Sequence, residues 1–181
     1  GYGDINGDGL GDIYVGAAPD LDDGGGVVMF GVDDSGIEID FANLDGSDGF
    51  RVVAQVGESL NLGSTNNVAA AGEFNGDGLN DFAIAAPFLN NGGNNLGSVF
   101  VVFGQVGGFG PTFDVTSLNG QNGFRIDGDT DILQHRLVNI RDAGDVNNDG
   151  FDDILISGVQ TQSRHIVIGA DQGFSPSLSL A

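Results

Sequence analysis

A nine-residue acidic segment occurs three times in this chain of 181 residues, at 4–12, 73–81 and 145–153. In every copy the first, fifth and ninth residues carry a carboxylate, the third is Asn and the sixth is Gly. The fourth is Gly or Asn, which tolerate positive φ, so the segment can turn sharply and direct alternate side chains at one point. Three carboxylates within ~5 Å would repel by roughly 1 to 3 kcal/mol per pair. We therefore expect a cation at that point.

An all-oxygen ligand set favours calcium. Ca²⁺ takes six to eight oxygens, whereas Mg²⁺ prefers a strict octahedron and retains water. A solvated turn is the alternative for one copy, but three copies in register favour about three calcium ions. The expected ligands are side-chain oxygens plus the carbonyl of each seventh residue: Asp4, Asn6, Asp8, Leu10 and Asp12; Glu73, Asn75, Asp77, Leu79 and Asp81; and Asp145, Asn147, Asp149, Phe151 and Asp153.

The first half of each segment is similar to an EF-hand loop, but the second half differs. EF-hands need a Glu at the twelfth position, where this chain has Val15, Ile84 and Ile156. These residues lie in apolar runs that should be strands. The ninth residue must then close the site from the start of a strand, which predicts a calcium loop within a β-hairpin.

Apolar runs surround the acidic segments, and clusters of Gly, Asn and Asp separate them, which is typical of β-strands. The segments begin 69 and 72 residues apart, and the runs repeat with them. The complete unit has four runs, and runs in the chain are apolar at consecutive positions, so both strand faces should be buried. Stacked four-stranded antiparallel sheets of this kind form the blades of a β-propeller; a β-sandwich is the alternative. Strands should therefore include Val27, Met29, Val101 and Ile166.

The sequence predicts an all-β fold with one propeller-type repeat region over residues 1–181. Residues 1–60 form a partial blade without its first strand, 61–130 a complete blade, and 131–181 a partial blade without its last strand. About two and a half blades leave apolar faces and edges open. We expect further blades, from the same protein or neighbouring subunits, to cover them.

Composition excludes several classes of function. Five basic against 26 acidic residues give a formal charge of −21, which excludes nucleic acid as a partner and disfavours anionic membranes. No apolar run approaches the ~18 residues of a membrane span, so no direct membrane insertion is expected. The absence of Cys excludes disulfides and thiol chemistry. His135 and His165 lie in no catalytic constellation, while Arg51 and Arg125 occupy equivalent places that suggest an ion pair in each blade.

The acidic segments and the apolar runs around them resemble the FG-GAP repeats of integrin α-chain propellers and of bacterial surface and secreted proteins. Phe30-Gly31 and Phe103-Gly104 supply the FG element, residues 16–19 and 85–87 supply the GAP element, and Ser157-Gly158 is a degenerate third. The resemblance implies a seven-bladed propeller with calcium between the first two strands of a blade. In integrins it also implies a ligand surface on the opposite face. Glu73 departs from the usual first Asp.

The resemblance also implies a function. We expect a calcium-stabilised extracellular or cell-surface module for adhesion or fibre assembly, without catalysis and with an unknown protein or glycan ligand. One alternative is the propeller portion of a secreted enzyme that cleaves polysaccharides or phospholipids, because abundant carboxylates leave acid/base chemistry open. The other is a sugar-binding lectin, which the absence of Trp disfavours.

Overall fold

The computed structural model describes residues 3–16, 25–33, 43–54, 68–87, 89, 97–128, 137–158, 164–171 and 173–180. These residues form strands and one short 3₁₀ turn, Val115–Ser117, so the predicted all-β fold is confirmed. No helix in this part of the chain is long and apolar enough to cross a membrane. The unit boundaries at 60/61 and 130/131, residues 17–19 and His135 lie outside the described residues.

The strands follow the predicted apolar runs. Val27 and Met29 lie in β2, Val101 in β6 and Ile166 in β11, as expected. The strands are β1 (Ile13–Gly16), β2 (Gly26–Met29), β3 (Gly49–Val53), β4 (Val68–Gly72), β5 (Asp81–Ala86), β6 (Ser98–Val102), β7 (Thr112–Asp114), β8 (Gly123–Asp127), β9 (Leu137–Gly144), β10 (Asp153–Gly158), β11 (Arg164–Val167) and β12 (Ser177–Ser179).

The described strands form three sheets with equivalent cores. Their orders are β1-β2-β3-β7 in the first sheet, β4-β5-β6-β8-β12 in the second and β9-β10-β11 in the third. The strands β1, β5 and β10 each follow an acidic segment and pair antiparallel with β2, β6 and β11. Each sheet is therefore built around the same hairpin, which positions the acidic segments in equivalent places.

The second sheet is buried on both faces, as its consecutive apolar residues predicted. Every residue of β5 and β6 is buried. Phe82 and Ile84 pack in a cluster with residues of the first sheet, while Ala83 and Ala85 pack in a second cluster with Ile154 of the third sheet. Side chains alternate across a strand, so this sheet lies between the other two and supplies one face to each.

The edges of the sheets differ from the predicted four-stranded antiparallel blades. The short strands β7 and β12 join in parallel to β3 and β8, so the second sheet has a fifth strand. After β6 the chain crosses to the preceding sheet as β7 before it returns to its own sheet as β8, and after β11 it crosses to the preceding sheet as β12. Antiparallel geometry was therefore wrong at these two edges. A sequence signal accompanies the crossover, since 108–115 and 173–180 share the pattern Gly-Phe-x-Pro followed by alternating residues.

Each crossover is anchored by an aromatic stack. Phe109 stacks on Phe50 with ring centroids 4.2 Å apart, and Phe174 stacks on Phe124 at 4.7 Å. Two residues after Phe109, the carbonyl of Pro111 accepts the backbone N–H of Arg51 at 2.9 Å. In the same way, the carbonyl of Pro176 accepts the N–H of Arg125 at 3.0 Å. The unit that follows therefore fastens its edge strand onto the sheet before it.

We predict that Phe109→Ala lowers the free energy of unfolding by about 3 to 5 kcal/mol, because a buried ring leaves a cavity at the crossover. Phe109 is 8% exposed, whereas Val106 in the same connection is 79% exposed. Val106→Ala is therefore the control and should change the free energy by less than about 0.5 kcal/mol. Urea unfolding of both variants measures the difference, and equal losses would contradict an anchoring role for Phe109.

Candidate metal centre

Each acidic segment forms a tight loop next to a strand. Loop 1 (4–12) leads into β1, loop 2 (73–81) joins β4 to β5, and loop 3 (145–153) joins β9 to β10. The fourth residue has φ of 80°, 81° and 61° in the three loops, and the sixth has 84°, 88° and 97°. These are the positive values that the Gly and Asn pattern predicted. The twelfth-position residues Val15, Ile84 and Ile156 lie in strands, as expected.

In loop 1 the side chains of the first, third and fifth positions share one turn. Asp4 accepts the backbone N–H groups of Gly7, Asp8 and Gly9 at 2.7, 3.0 and 2.8 Å. The Oδ1 of Asn6 accepts the N–H of Asp8 at 3.0 Å, and its Nδ2 donates to the carboxylate of Asp8 at 2.9 Å. These bonds bring two carboxylates and a carboxamide together on the exposed side of the loop.

Loop 3 repeats this arrangement. Asp145 accepts the N–H groups of Asp149 and Gly150 at 3.1 and 2.9 Å. The Oδ1 of Asn147 accepts the N–H of Asp149 at 3.0 Å, as the corresponding Asn does in loop 1. The same residue types therefore give the same local structure 141 residues apart along the chain.

Loop 2 differs at its first position. Asn75 and Asp77 make the bonds seen in the other loops, with Asn75 Oδ1 accepting the N–H of Asp77 at 3.0 Å. The Oε1 of Glu73, however, is buried and has no hydrogen-bond partner among the described residues. A buried carboxylate oxygen without a partner is costly. Among the oxygens of loop 2, this one would therefore gain the most stabilisation from a bound ligand.

The donor chemistry of the loops fits a hard cation. Within the described residues, no three Asp, Glu, His or Cys side chains converge closely enough to hold a metal ion by themselves. Loops 1 and 3 bring together a carboxamide oxygen and two carboxylates, and loop 2 brings together the carboxamide of Asn75 and the carboxylate of Asp77. An ionised carboxylate offers about four acceptor sites. The N–H bonds described above leave some of those sites available. Calcium ligation by these residues stays a prediction.

The ninth-position carboxylates lie behind the loops instead of on their exposed side. Asp12, Asp81 and Asp153 are 0% exposed. One oxygen of each accepts the N–H of the second loop residue, at 2.7, 3.1 and 2.9 Å. The other accepts the N–H of the Gly that ends the next apolar run, at 2.9, 2.8 and 2.9 Å. Ligation by these residues was predicted from spacing and stays a prediction; the structure gives them an anchoring role that spacing did not indicate.

The Gly that receives this anchor has no room for a side chain. A Cβ on Gly104 would lie 2.7 Å from both Leu79 Cβ and Asn80 O. On Gly31 and Gly169 it would also meet the seventh and eighth residues of the adjacent loop. The glycine of the Phe-Gly element is thus required because the loop packs directly on it.

Burial changes the acidity of two anchoring carboxylates. Burial raises the pKa of Asp81 to about 8 against the opposing effect of its N–H bonds, and the charges of Asp77 and Glu73 add to the rise. Burial also raises the pKa of Asp12, and the nearby carboxylates of its own loop act in the same direction. A bound cation would favour the charged form and lower both pKa values.

Comparison with known proteins identifies part of this arrangement. Residues 65–102 match the family model of the FG-GAP repeat. This segment is similar to an FG-GAP repeat. The matched segment contains β4, loop 2, β5 and β6, so the resemblance seen in the sequence is confirmed for the second unit. A comparison with curated proteins found no match.

The two arginines at equivalent places in the first and second units have separate outcomes. Arg125 forms an ion pair with Asp127 at 2.9 Å, and the hydroxyl of Ser98 donates to the same carboxylate at 2.7 Å. At the equivalent place Arg51 is followed by Val53 instead of an acid, and its buried Nε has no hydrogen-bond partner in the described part of the chain. An ion pair at Arg51 stays a prediction.

We predict that Gly104→Ala lowers the free energy of unfolding by about 1 to 3 kcal/mol, because the new methyl group overpacks loop 2. Gly110→Ala is the matched control, since its Cβ would come no closer than 4.0 Å to its nearest neighbour, Thr112 O. Thermal unfolding of both variants in chelator compares them without any metal. A Gly104→Ala variant as stable as Gly110→Ala would contradict the packing argument.

We also predict a pH dependence from Asp81. Its pKa of about 8 lies above the unfolded value, so its contribution to stability is complete below about pH 4 and is lost as the pH rises towards 8. Each unit of pKa difference is about 1.4 kcal/mol, and 1 kcal/mol moves the melting temperature of a chain this size by about 2 to 4 °C.

The measurement is thermal unfolding from pH 5 to 8, with and without calcium. In chelator, the melting temperature of Asp81→Asn should fall less between pH 5 and 8 than that of the unmodified chain. In calcium the fall should also be smaller, because the ion favours the charged carboxylate. An identical slope for the variant and the unmodified chain in chelator would show that Asp81 does not titrate in this range.

Proposed function

We propose that this chain is a non-catalytic FG-GAP repeat module that is stabilised by calcium and serves in adhesion or surface assembly outside the cell. The observation that carries the proposal is the acidic loop, which occurs three times and in which the third-position Asn bonds the fifth-position Asp in the same way each time. The FG-GAP match at residues 65–102 supports a propeller-type module. Total blade number and the adhesion partner follow from the family resemblance and are part of the proposal.

Calcium would be held by the side chains of the first, third and fifth loop residues, the carbonyl of the seventh and the carboxylate of the ninth. The buried Oε1 of Glu73, which has no hydrogen-bond partner, supports an ion at loop 2. The ion would supply positive charge that offsets carboxylate repulsion; three ions would change the formal charge of the chain from −21 to −15. The ninth-position anchor would pass this stabilisation from the loop to the strand behind it.

A structural role agrees with the place of the perturbed carboxylates. Asp12 and Asp81 have raised pKa values, but both are buried against backbone N–H groups. A catalytic acid needs access to its substrate, and these two groups have none. One groove in the described part of the chain, with a volume of about 340 Å³, is lined by apolar residues such as Phe124, Ile166 and Leu178 and by one Ser. These features favour a binding and assembly module over the enzyme alternative.

We predict about three calcium ions per chain by isothermal titration of chelator-treated protein. Asp8→Asn, Asp77→Asn and Asp149→Asn should each weaken or remove one site, because each replaces an exposed loop carboxylate. Asp33→Asn is the control, since Asp33 is an exposed acid outside the loops and the charge change is the same. No binding to the unmodified chain, or equal losses in all four variants, would contradict the loop sites.

Calcium removal should also lower the melting temperature without any change in catalytic activity. Binding contributes about 2.7 kcal/mol per site when the free calcium concentration is 100 times Kd. Differential scanning calorimetry in calcium and in chelator measures this effect. Calcium-dependent cleavage of a polysaccharide or phospholipid, assayed on the same samples, would support the enzyme alternative instead.

A further inference from the structure

Neighbouring loops are joined by the eighth residue, a position to which the acidic pattern assigns no role. The Oδ1 of Asn80 in loop 2 accepts the N–H of Asp4 in loop 1 at 2.9 Å. The N–H of Asn80 in turn donates to the carbonyl of Asp4 at 3.0 Å. The side chain of Asn80 occupies the space where a Cβ on Gly3 would lie, so Gly before the loop makes room for the connection.

The same connection joins loop 3 to loop 2. Asp152 accepts the N–H of Glu73 at 2.9 Å and donates its own N–H to the carbonyl of Glu73 at 3.0 Å. Its carboxylate occupies the space beside Gly72. Two independent instances therefore show that an Asn or Asp at the eighth position connects a loop to the one before it.

A second contact involves the seventh residue. A Cβ on Gly7, the fourth residue of loop 1, would lie 3.1 Å from Leu79 Cδ2 of loop 2. A Cβ on Gly76 would lie 2.7 Å from Phe151 Cε1 of loop 3. Gly at the fourth position of one loop thus accommodates a large apolar side chain at the seventh position of the next.

In loop 3, the residues equivalent to those that receive the next loop in loops 1 and 2 have no described residue packed against them. Gly144 is equivalent to Gly3 and Gly72, has φ of 62°, and its Cβ would meet no atom within 4 Å. Val146, at the second loop position, is 50% exposed, although the two equivalent residues are completely buried. The donor N–H of Asp145 lies between these two residues.

The third sheet continues this open surface. Ile166 and Ile168 are 51% and 41% exposed. Their equivalents in the second sheet, Val101 and Phe103, are 0% and 4% exposed because they pack in the cluster shared with the third sheet. The surface formed by Gly144, Asp145, Val146, Ile166 and Ile168, which we call the receiving face, therefore has the form that the second sheet uses to bind the third.

Loop 1 of another copy does not match the receiving face. Its eighth residue is Gly11, which has no side-chain oxygen to accept the N–H of Asp145. On the receiving face the fourth loop residue is Asn148 instead of Gly, so a side chain occupies the place that accommodates Leu79 or Phe151 in the internal junctions. Leu10, the seventh residue of loop 1, would meet that side chain.

We propose that the receiving face binds a further repeat unit whose acidic loop carries Asn or Asp at the eighth position and a small residue at the seventh. Gly11 and Asn148 exclude loop 1 of another copy from this face, so the chain selects a different repeat as its neighbour. The inference rests on the proposed function only in expecting a partner of the same repeat type. It assigns partner selection to the fourth, seventh and eighth positions of the loop, which vary among the three copies.

The test replaces the two residues, Gly11 and Asn148, that prevent loop 1 of another copy from fitting the receiving face. Asn at residue 11 is sterically allowed, because Gly11 lacks positive φ and its Cβ would meet nothing within 4 Å; Gly at residue 148 suits the φ of 61° there. The double variant Gly11→Asn with Asn148→Gly should self-associate about tenfold more tightly than the unmodified chain, which is the effect of one added hydrogen bond. Sedimentation equilibrium in millimolar calcium measures the association constant.

Two further variants make the result specific. Gly11→Ala with Asn148→Gly supplies no acceptor and should associate no more tightly than the unmodified chain. Adding Ile166→Glu to the first double variant should abolish the gain, because it places a charge on the receiving face. The proposal is overturned if both double variants associate equally, if the unmodified chain already associates as tightly, or if Ile166→Glu has no effect. Calcium titration of the same samples tests the proposed function separately.

Discussion

The hydrogen bonds of the ninth-position carboxylate are the interaction on which each unit depends. Asp81 connects the backbone of its own loop to Gly104, which follows β6, and thereby fixes the loop against two strands at once. The carboxyl group is completely buried, so its polar oxygens need these N–H donors as hydrogen-bond partners. Because the same bonds recur at Asp12 and Asp153, every loop has the same orientation towards its sheet. That common orientation is what allows neighbouring loops to meet.

Local chemistry explains why the sequence predicted the loops and most strands correctly. Positive φ at Gly7, Gly76 and Asn148 follows from the residue types themselves. The apolar runs predicted β5 and β6 because both faces of these strands are buried. These features depend only on nearby residues and on alternation along a strand, which a single sequence displays directly.

Contacts between distant segments explain what the sequence did not predict. The strands β7 and β12 are three residues long, mostly polar, and paired with the preceding sheet, so no local pattern distinguishes them from loops. The anchor from Asp12 to Gly31 spans 19 residues, and spacing alone indicated a metal ligand there. Comparing 108–115 with 173–180 would have revealed the crossover strands, because their Gly-Phe-x-Pro pattern repeats.

The crossover strands and the eighth-position bonds connect consecutive units at two separate places. Loop 2 is bonded to loop 1 through Asn80, while β7 of the same unit lies on the edge of the first sheet. A sheet therefore contains strands from two units, and neither unit completes its hydrogen bonds alone. Unfolding one unit would remove both an edge strand and a loop contact from the unit before it. Stability in such an array resides in the junctions as much as in the sheets, so a change at one variable loop position affects how two units assemble.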